Sequence, residues 1–498
     1  MSSAEEIASP VPRARSTGRL GLSWPLLLGA AAFVLALVSG AVRFDPDTYW
    51  QIVTGRWILA HGYVPTHDLF SFTRHGVRWI AQEWGAELWV AALYGLAGWP
   101  GLTLLAALSF GLTIAYLTRF LLARMEPLHA VLLAVLAGCM MFDYIIVRPH
   151  ELAWPLTALW VGMLIESNEA GRAPPWWLLG VMLLWANVHA SFILGLGVAV
   201  VLGVEAVAAA GERRRTLSAR WMLFIVAAFG CALLNPQGWR LLVFPFHLLG
   251  MPVLSRLTEW QPPDLQRLQP LDVWLVAVLG LAFAGRFRLP FWRSLLLIGL
   301  MFFALAHWRN VSLLGLISPF LIATPLAAQW RRAPAHGQDA QALDRAFGAL
   351  AAPASHRALA AAIVLSGALG IAVVAAQKPR PSAEYTPRAA LDALLAVRPR
   401  ARILDDAEFG GYLIFRGIPT FVDPRASVFG EAFLHRYFQA LELAPGGDFS
   451  GLLKKYRIDA VLLRPAWPAV RLLERLPDWE QVYAGRRAVA YVRRGGAG

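Results

Sequence analysis

Two carboxylates flank a proline in the run Phe44-Asp45-Pro46-Asp47, directly after the first long apolar segment. Pro46 fixes the local backbone, and a carboxylate at the edge of a low-dielectric region is pushed toward the pKa of a useful general base. The same acids would serve equally well to mark a helix end, and the spacing leaves both readings open. A second group, Arg148-Pro149-His150-Glu151, falls where one apolar segment gives way to the next. Ionisable residues beside membrane segments are expensive and are functional candidates by default. A guanidinium grips phosphate in bidentate fashion and an imidazole adds a donor, so Arg148 and His150 suit a phosphate group. An arginine snorkelling to lipid headgroups explains the same placement. Asn187-Val188-His189 breaks another apolar stretch, Asn235-Pro236-Gln237-Gly238-Trp239-Arg240 opens a polar loop that reaches Thr258-Glu259-Trp260, and His307-Trp308-Arg309-Asn310 forms a third polar knot. Arg240 and Arg309 therefore join the candidate phosphate binders. Glu83, Asn187, His189 and Glu259 are candidate acceptor-binding or supporting groups.

The elements that must position these residues are membrane helices. Of 498 residues, 57% are hydrophobic and 15% charged, against about 25% charge in soluble domains. The formal charge of +13 sits largely in short loops between apolar runs, where it orients a membrane protein and does not mark a nucleic-acid surface. Apolar spans are expected at 21–42, 100–120, 129–147, 151–167, 175–191, 192–210, 219–235, 270–286, 290–306, 311–329 and 357–377, about eleven in all. The first follows a basic leader, 1–20, with Arg13, Arg15 and Arg19, and is too long for a cleaved signal. Segment 83–98 is short and carries Glu83 and Glu87, so it reads as an amphipathic helix on the membrane surface. Counting it as a span would move the Arg213-Arg214-Arg215 cluster outside, against the positive-inside rule, whereas leaving it out also keeps Arg286 and Arg331-Arg332 in the cytoplasm. The N-terminus is then cytoplasmic, and residues 378–498 lie outside together with the long loops 43–99 and 235–269. All the polar candidates face that outer side.

Other chemistries find no support. The sequence has no GxxxxGK[ST] loop, GxSxG elbow, HExxH helix or CxxC pair, and its two cysteines, Cys139 and Cys231, lie within apolar runs. An outward site lacks ATP and nucleotide sugars, so a transferase there needs a donor delivered in the membrane. A polyprenyl-phosphate sugar meets that need: its phosphate requires cations, its tail a groove between helices, and the acceptor hydroxyl one base.

The first-loop pattern DPD, YWQIVTGRWILAHGYVP and HDLFSFTRHGVRWIAQEW resembles bacterial multi-pass proteins of the GT-C glycosyltransferase superfamily, in branches related to the lipid-A and rhizobial lipopolysaccharide sugar transferases. The likeness extends to VRPHE, LWANVHASF, NPQGWR, TEWQPPD and DDAEFGGYLIFRGIPTFVDPRASVFGE, covering most of the chain. The resemblance implies a GT-C-like, all-α polytopic membrane domain over 21–377 in the bacterial cytoplasmic (inner) membrane. It implies a first-loop acid acting as catalytic base or metal ligand, which falls on Asp47 with Asp45 second. A divalent metal ion is the one cofactor it allows for. Many members carry adjacent acids there, whereas Thr48 follows Asp47 here. The partners implied are a polyprenyl-phosphate sugar, membrane lipid and an envelope glycan, lipid or protein acceptor on the periplasmic face, with no nucleic acid. A non-catalytic scaffold that binds lipid-linked glycans during envelope assembly is the alternative.

Residues 378–498 change character. A helix is expected over 387–397, strands at 402–405, 419–422, 458–463, 479–483 and 487–492, and helices at 431–442, 448–456 and 467–476, the alternation of a small soluble α/β domain. Asp405, Asp406 and Asp423 stand at strand ends and suit a cation or an acceptor sugar, or simply loop capping and an Asp423–Arg425 pair. Gly410-Gly411 reads as a tight turn.

Overall fold

The computed structural model describes residues 21–285, 287–330 and 338–495. The basic leader, Arg286 and the Arg331-Arg332 pair lie outside the described residues. Each of the eleven apolar segments falls on a helix. Four helices are long and apolar enough to cross a membrane: Trp84–Leu122, Gly211–Leu233, Trp308–Gln329 and His356–Gln377. At about 1.5 Å per residue, the 22 residues of His356–Gln377 reach about 33 Å, the depth of a hydrocarbon core. Ser355 caps its start by accepting from Ala358 N. It leaves Ile363, Val364 and Leu365 exposed, the surface expected against lipid. Shorter apolar helices of 10–17 residues, among them Trp24–Val38, Pro127–Phe142 and Phe192–Ala208, complete the bundle.

Segment 83–98 differs from its expected form in two respects. It runs into the following span as Trp84–Leu122, but Gly98 at φ 60° and ψ −149° breaks the helix between the two parts. Its acidic face turns inward: Glu87 is fully buried, while Trp89 and Leu96 are exposed. The reason is close backbone packing against the helix Pro46–His61. A Cβ on Gly55 would stand 2.0 Å from the Glu87 carbonyl oxygen, so only glycine lets the two helices approach. That first-loop helix is set by Asp45, which accepts from Asp47 N and Thr48 N, by Pro46 at its first turn, and by Gly62 at φ 76° after its last.

The C-terminal residues form a four-stranded mixed sheet of order β1-β2-β4-β3, with β1 Ile403–Asp405, β2 Ala460–Leu463, β3 Trp479–Ala484 and β4 Val489–Arg493. β1 runs parallel to β2 with Leu404 opposite Val461, and β4 runs antiparallel to both β2 and β3. Every residue of β2 is buried, as the apolar run AVLL requires for a central strand. Segment 419–422 does not join this sheet. Thr420 N donates to Phe70 O and Phe72 N to Thr420 O, so the segment pairs with the first loop instead. The Gly410-Gly411 pair is no turn either; it lies inside the helix Ala407–Phe415. A Cβ on Gly411 would stand 2.0 Å from Pro46 O, so the glycine is there to seat this helix on the first-loop helix.

The charged residues sort to two ends of the bundle. At one end Arg124 pairs with Glu169, and Arg293 with Glu205 and Glu169. At the other, Arg148, Glu259 and Arg309 meet the start of the first-loop helix.

Gly411→Ala is expected to lower stability by about 1–3 kcal/mol, the usual cost of overpacking. Gly367→Ala, where an added methyl meets nothing within 4 Å, is expected to leave the melting temperature unchanged or slightly raised. Thermal unfolding in detergent checks both.

Candidate functional site

Arg148 joins three carboxylates. Its Nη2 lies 2.9 Å from Asp47 and its Nη1 2.6 Å from Glu259, while Nε meets Asp45. Arg309 holds the second Glu259 oxygen at 3.1 Å, with its guanidinium 4.9 Å from the Trp260 ring centroid. Asp47 also accepts from Trp50 Nε1 at 2.9 Å, so both of its oxygens are fixed. Beside this network, Glu83 accepts from Gln51 Nε2 at 3.3 Å and faces His189 Nε2 at 3.8 Å. His189 Nδ1 is held at 2.8 Å by Ser191 Oγ.

These groups surround one cavity of about 140 Å³, lined by Asp47, Glu83, Arg148, His150, His189, Glu259 and Arg309. Three sequence candidates stand elsewhere. Asp45 lies behind the cavity wall as helix cap and ion-pair partner. Asn187 accepts from Trp84 Nε1 at 2.8 Å and donates to two carbonyls, which fixes the start of the helix that carries Glu83. Arg240 is exposed at the start of the helix Arg240–Leu249, beside Trp239, and does not line the cavity. Asp405, Asp406 and Asp423 are all engaged within the C-terminal fold, by Phe421 N, by Arg464 and Trp467, and by Arg425 respectively.

Burial dominates the electrostatics. It pushes Asp45 up to about 7 against the pull of Arg148. It raises Asp47 in the same way, opposed by Arg148 and the Trp50 hydrogen bond. Glu83 rises to about 7 through burial and the nearby Asp47 charge. Glu259 goes the other way: burial opposes ionisation, but Arg148 and Arg309 outweigh it and bring the group down to about 2. Burial and then the two arginines lower His150 to about 3, so it offers a neutral N–H and not a positive charge. Among the described residues no group of three or more His, Cys, Asp or Glu side chains is arranged to hold a metal ion. Asp45, Asp47 and Glu259 converge, but on a guanidinium that stands where a metal would need to be.

The cavity includes residues that were not among the site candidates. Trp50, Gln51, Trp79 and Glu87 come from the first-loop helix and its surroundings, and Pro424, Arg425, Ala426 and Ser427 from the C-terminal fold. The signal for the last group was the Asp423-Pro424-Arg425 run. Arg425 Nη2 bonds Asp423, the expected neighbour, and also Asp68, 357 residues earlier, each at 2.6 Å.

No protein-family model matches the sequence, and no curated protein matches it. Among solved structures, the chain is similar to the archaeal oligosaccharyltransferase AglB from Archaeoglobus fulgidus, in complex with an inhibitory peptide and a dolichol-phosphate. The TM-score is 0.51 at 11% identity, covering 88% of this chain and 69% of that one. It is also similar to ArnT from Cupriavidus metallidurans bound to undecaprenyl phosphate, with a TM-score of 0.50 at 12% identity, covering 95% of this chain and 98% of that one. At such identities the likeness is one of fold, and it is the GT-C fold that the first-loop motifs led us to expect.

Glu83 gives the site a pH signature. Between its ordinary 4.5 and about 7, the unfolded chain releases this proton while the folded chain keeps it. Stability from this group is therefore full below pH 4.5 and lost as pH rises to about 7. Glu83→Gln is expected to flatten the decline in melting temperature across that window. An unchanged slope would place the group's pKa elsewhere.

Proposed function

We propose that this protein is a membrane glycosyltransferase that moves a sugar from a polyprenyl-phosphate donor to an envelope glycan, lipid or protein on the outer side of the bacterial cytoplasmic membrane. The observation that carries the proposal is Asp47 lining a cavity shared with Arg148, Glu259 and Arg309. The chain's fold is like two structures that hold dolichol-phosphate and undecaprenyl phosphate, which supports a lipid-linked donor. In this reading the chain crosses the membrane about eleven times with its N-terminus in the cytoplasm, and residues 378–498 stand outside.

Asp47, and not Asp45, is the base. Asp45 is committed to the helix cap and lies behind the wall, whereas Asp47 reaches the cavity with a raised pKa. The acceptor hydroxyl gives its proton to Asp47 as its oxygen bonds the anomeric carbon. The bond from that carbon to the phosphate oxygen breaks with its electron pair, and the phosphate leaves carrying the charge. Arg148 is saturated by three carboxylates, so it positions Asp47. Arg309, bonded to one acid and about one-third exposed, is the cation that meets the departing phosphate, and His150 adds a neutral donor. Residues 424–427 of the C-terminal fold form part of the wall.

Mass spectrometry of envelope glycans, lipids and proteins from a deletion strain tests this reading. One sugar mass is expected to vanish and to return with the wild-type chain. Asp47→Asn at equal membrane level is expected to restore ~10²-fold less or lower, the scale of a lost general base. Full restoration by Asp47→Asn would remove it from the chemistry.

A further inference from the structure

Three deeply buried side chains on the cavity keep polar atoms that no described protein group satisfies: Gln51 Oε1, both carboxyl oxygens of Glu87, and Arg425 Nη1. Their residues are 1%, 0% and 4% exposed. Buried polar atoms are nearly always paired, so three such residues around one cavity call for a ligand. Arg425 and Gln51 are held in place by their other bonds. Arg425 has its Nε and Nη2 bound by Asp423 and its Nη2 also by Asp68. Its guanidinium lies 4.9 Å from the Phe70 ring centroid and 4.6 Å from that of Trp79, so the group cannot rotate. Gln51 is fixed by its own bond to Glu83.

Their polarity sets the ligand's chemistry. Asp68 and Asp423 already outnumber the Arg425 charge, so the remaining N–H does not recruit an anion. Burial opposes a charge on Glu83 and Glu87, so neither recruits an ammonium group. A hydroxyl serves both sides, donating to Glu87 or Gln51 and accepting from Arg425. Trp50 and Trp79, with ring centroids 6.0 Å apart, supply apolar surface for a ring's carbon skeleton. Resting on the glycosyltransferase reading, we infer that this end of the cavity is a subsite for an uncharged polyhydroxylated ring, a hexose or deoxyhexose, held by Gln51, Glu87 and Arg425.

The test uses the complemented deletion strain with Glu87→Met and Arg425→Lys, together with thermal unfolding of each purified variant. Methionine matches glutamate in size and removes an unsatisfied buried acid, so Glu87→Met is expected to melt at the same or a higher temperature than wild type. Transfer is nevertheless expected to fall at least ~10-fold, because the ligand hydroxyl loses its partner. Arg425→Lys, whose single nitrogen is taken up by the two aspartates, is expected to fall as far. The sugar mass restored by the wild-type chain is expected to be uncharged. If Glu87→Met restores that mass at the wild-type level, or if the restored sugar carries a charged group, the subsite is wrong while the transferase reading stands. If the deletion alters no glycan, the transferase reading fails and the subsite fails with it.

Discussion

One guanidinium shared by three carboxylates is the constraint on which the site is built. Desolvating Arg148, Asp45, Asp47 and Glu259 together is costly, and the arrangement holds only because every charge has a partner. Removing one member of such a buried set typically costs about 3–5 kcal/mol, since it strands the others. The network ties together chain segments from four places: the start of the first-loop helix, the Arg148 turn, the Thr258–Trp260 turn and, through Glu259, the Trp308–Asn310 turn. It holds Asp47 in one orientation before any substrate arrives, the preorganisation that the proposed role of general base requires.

A second guanidinium performs a similar task. Arg425 binds Asp68 from the first loop and Asp423 from the C-terminal fold, sandwiched between first-loop rings. With the Thr420 backbone pairing and the Gly411–Pro46 approach, it makes the first loop and the C-terminal fold one packed unit around a common cavity. The length of loop 43–99 is accounted for by that packing: its helix Pro46–His61 and its aromatic residues are buried against the C-terminal fold.

Much of this was legible in the sequence. Apolar runs located the eleven expected spans, each of which falls on a helix, because lipid leaves a helix little choice of residue type; the first-loop helix Pro46–His61 carries no such run. The polar breaks at Arg148, His189, Glu259 and Arg309 stood out as exceptions to that rule, and they meet at one cavity. What remained hidden depended on distance. Arg240 has the same chemistry as Arg309 and the same kind of loop, and only the fold tells them apart. Glu87 read as a solvated acid on an amphipathic face, yet Gly55 lets its helix pack so closely that the face is buried. Segment 419–422 has the composition of a central strand, but its pairing partner lies some 350 residues earlier, at Phe70 and Phe72.

The central claim is that this cavity receives a lipid-linked phosphate, and direct binding tests it. Native mass spectrometry of the purified chain with undecaprenyl phosphate and with uncharged undecaprenol should show retention of the phosphate form by wild type. Arg309→Gln should weaken that retention at least ~10-fold, the scale of a lost charge-assisted bond. Equal retention of the phosphate and the free alcohol by wild type, untouched by Arg309→Gln, would contradict the account.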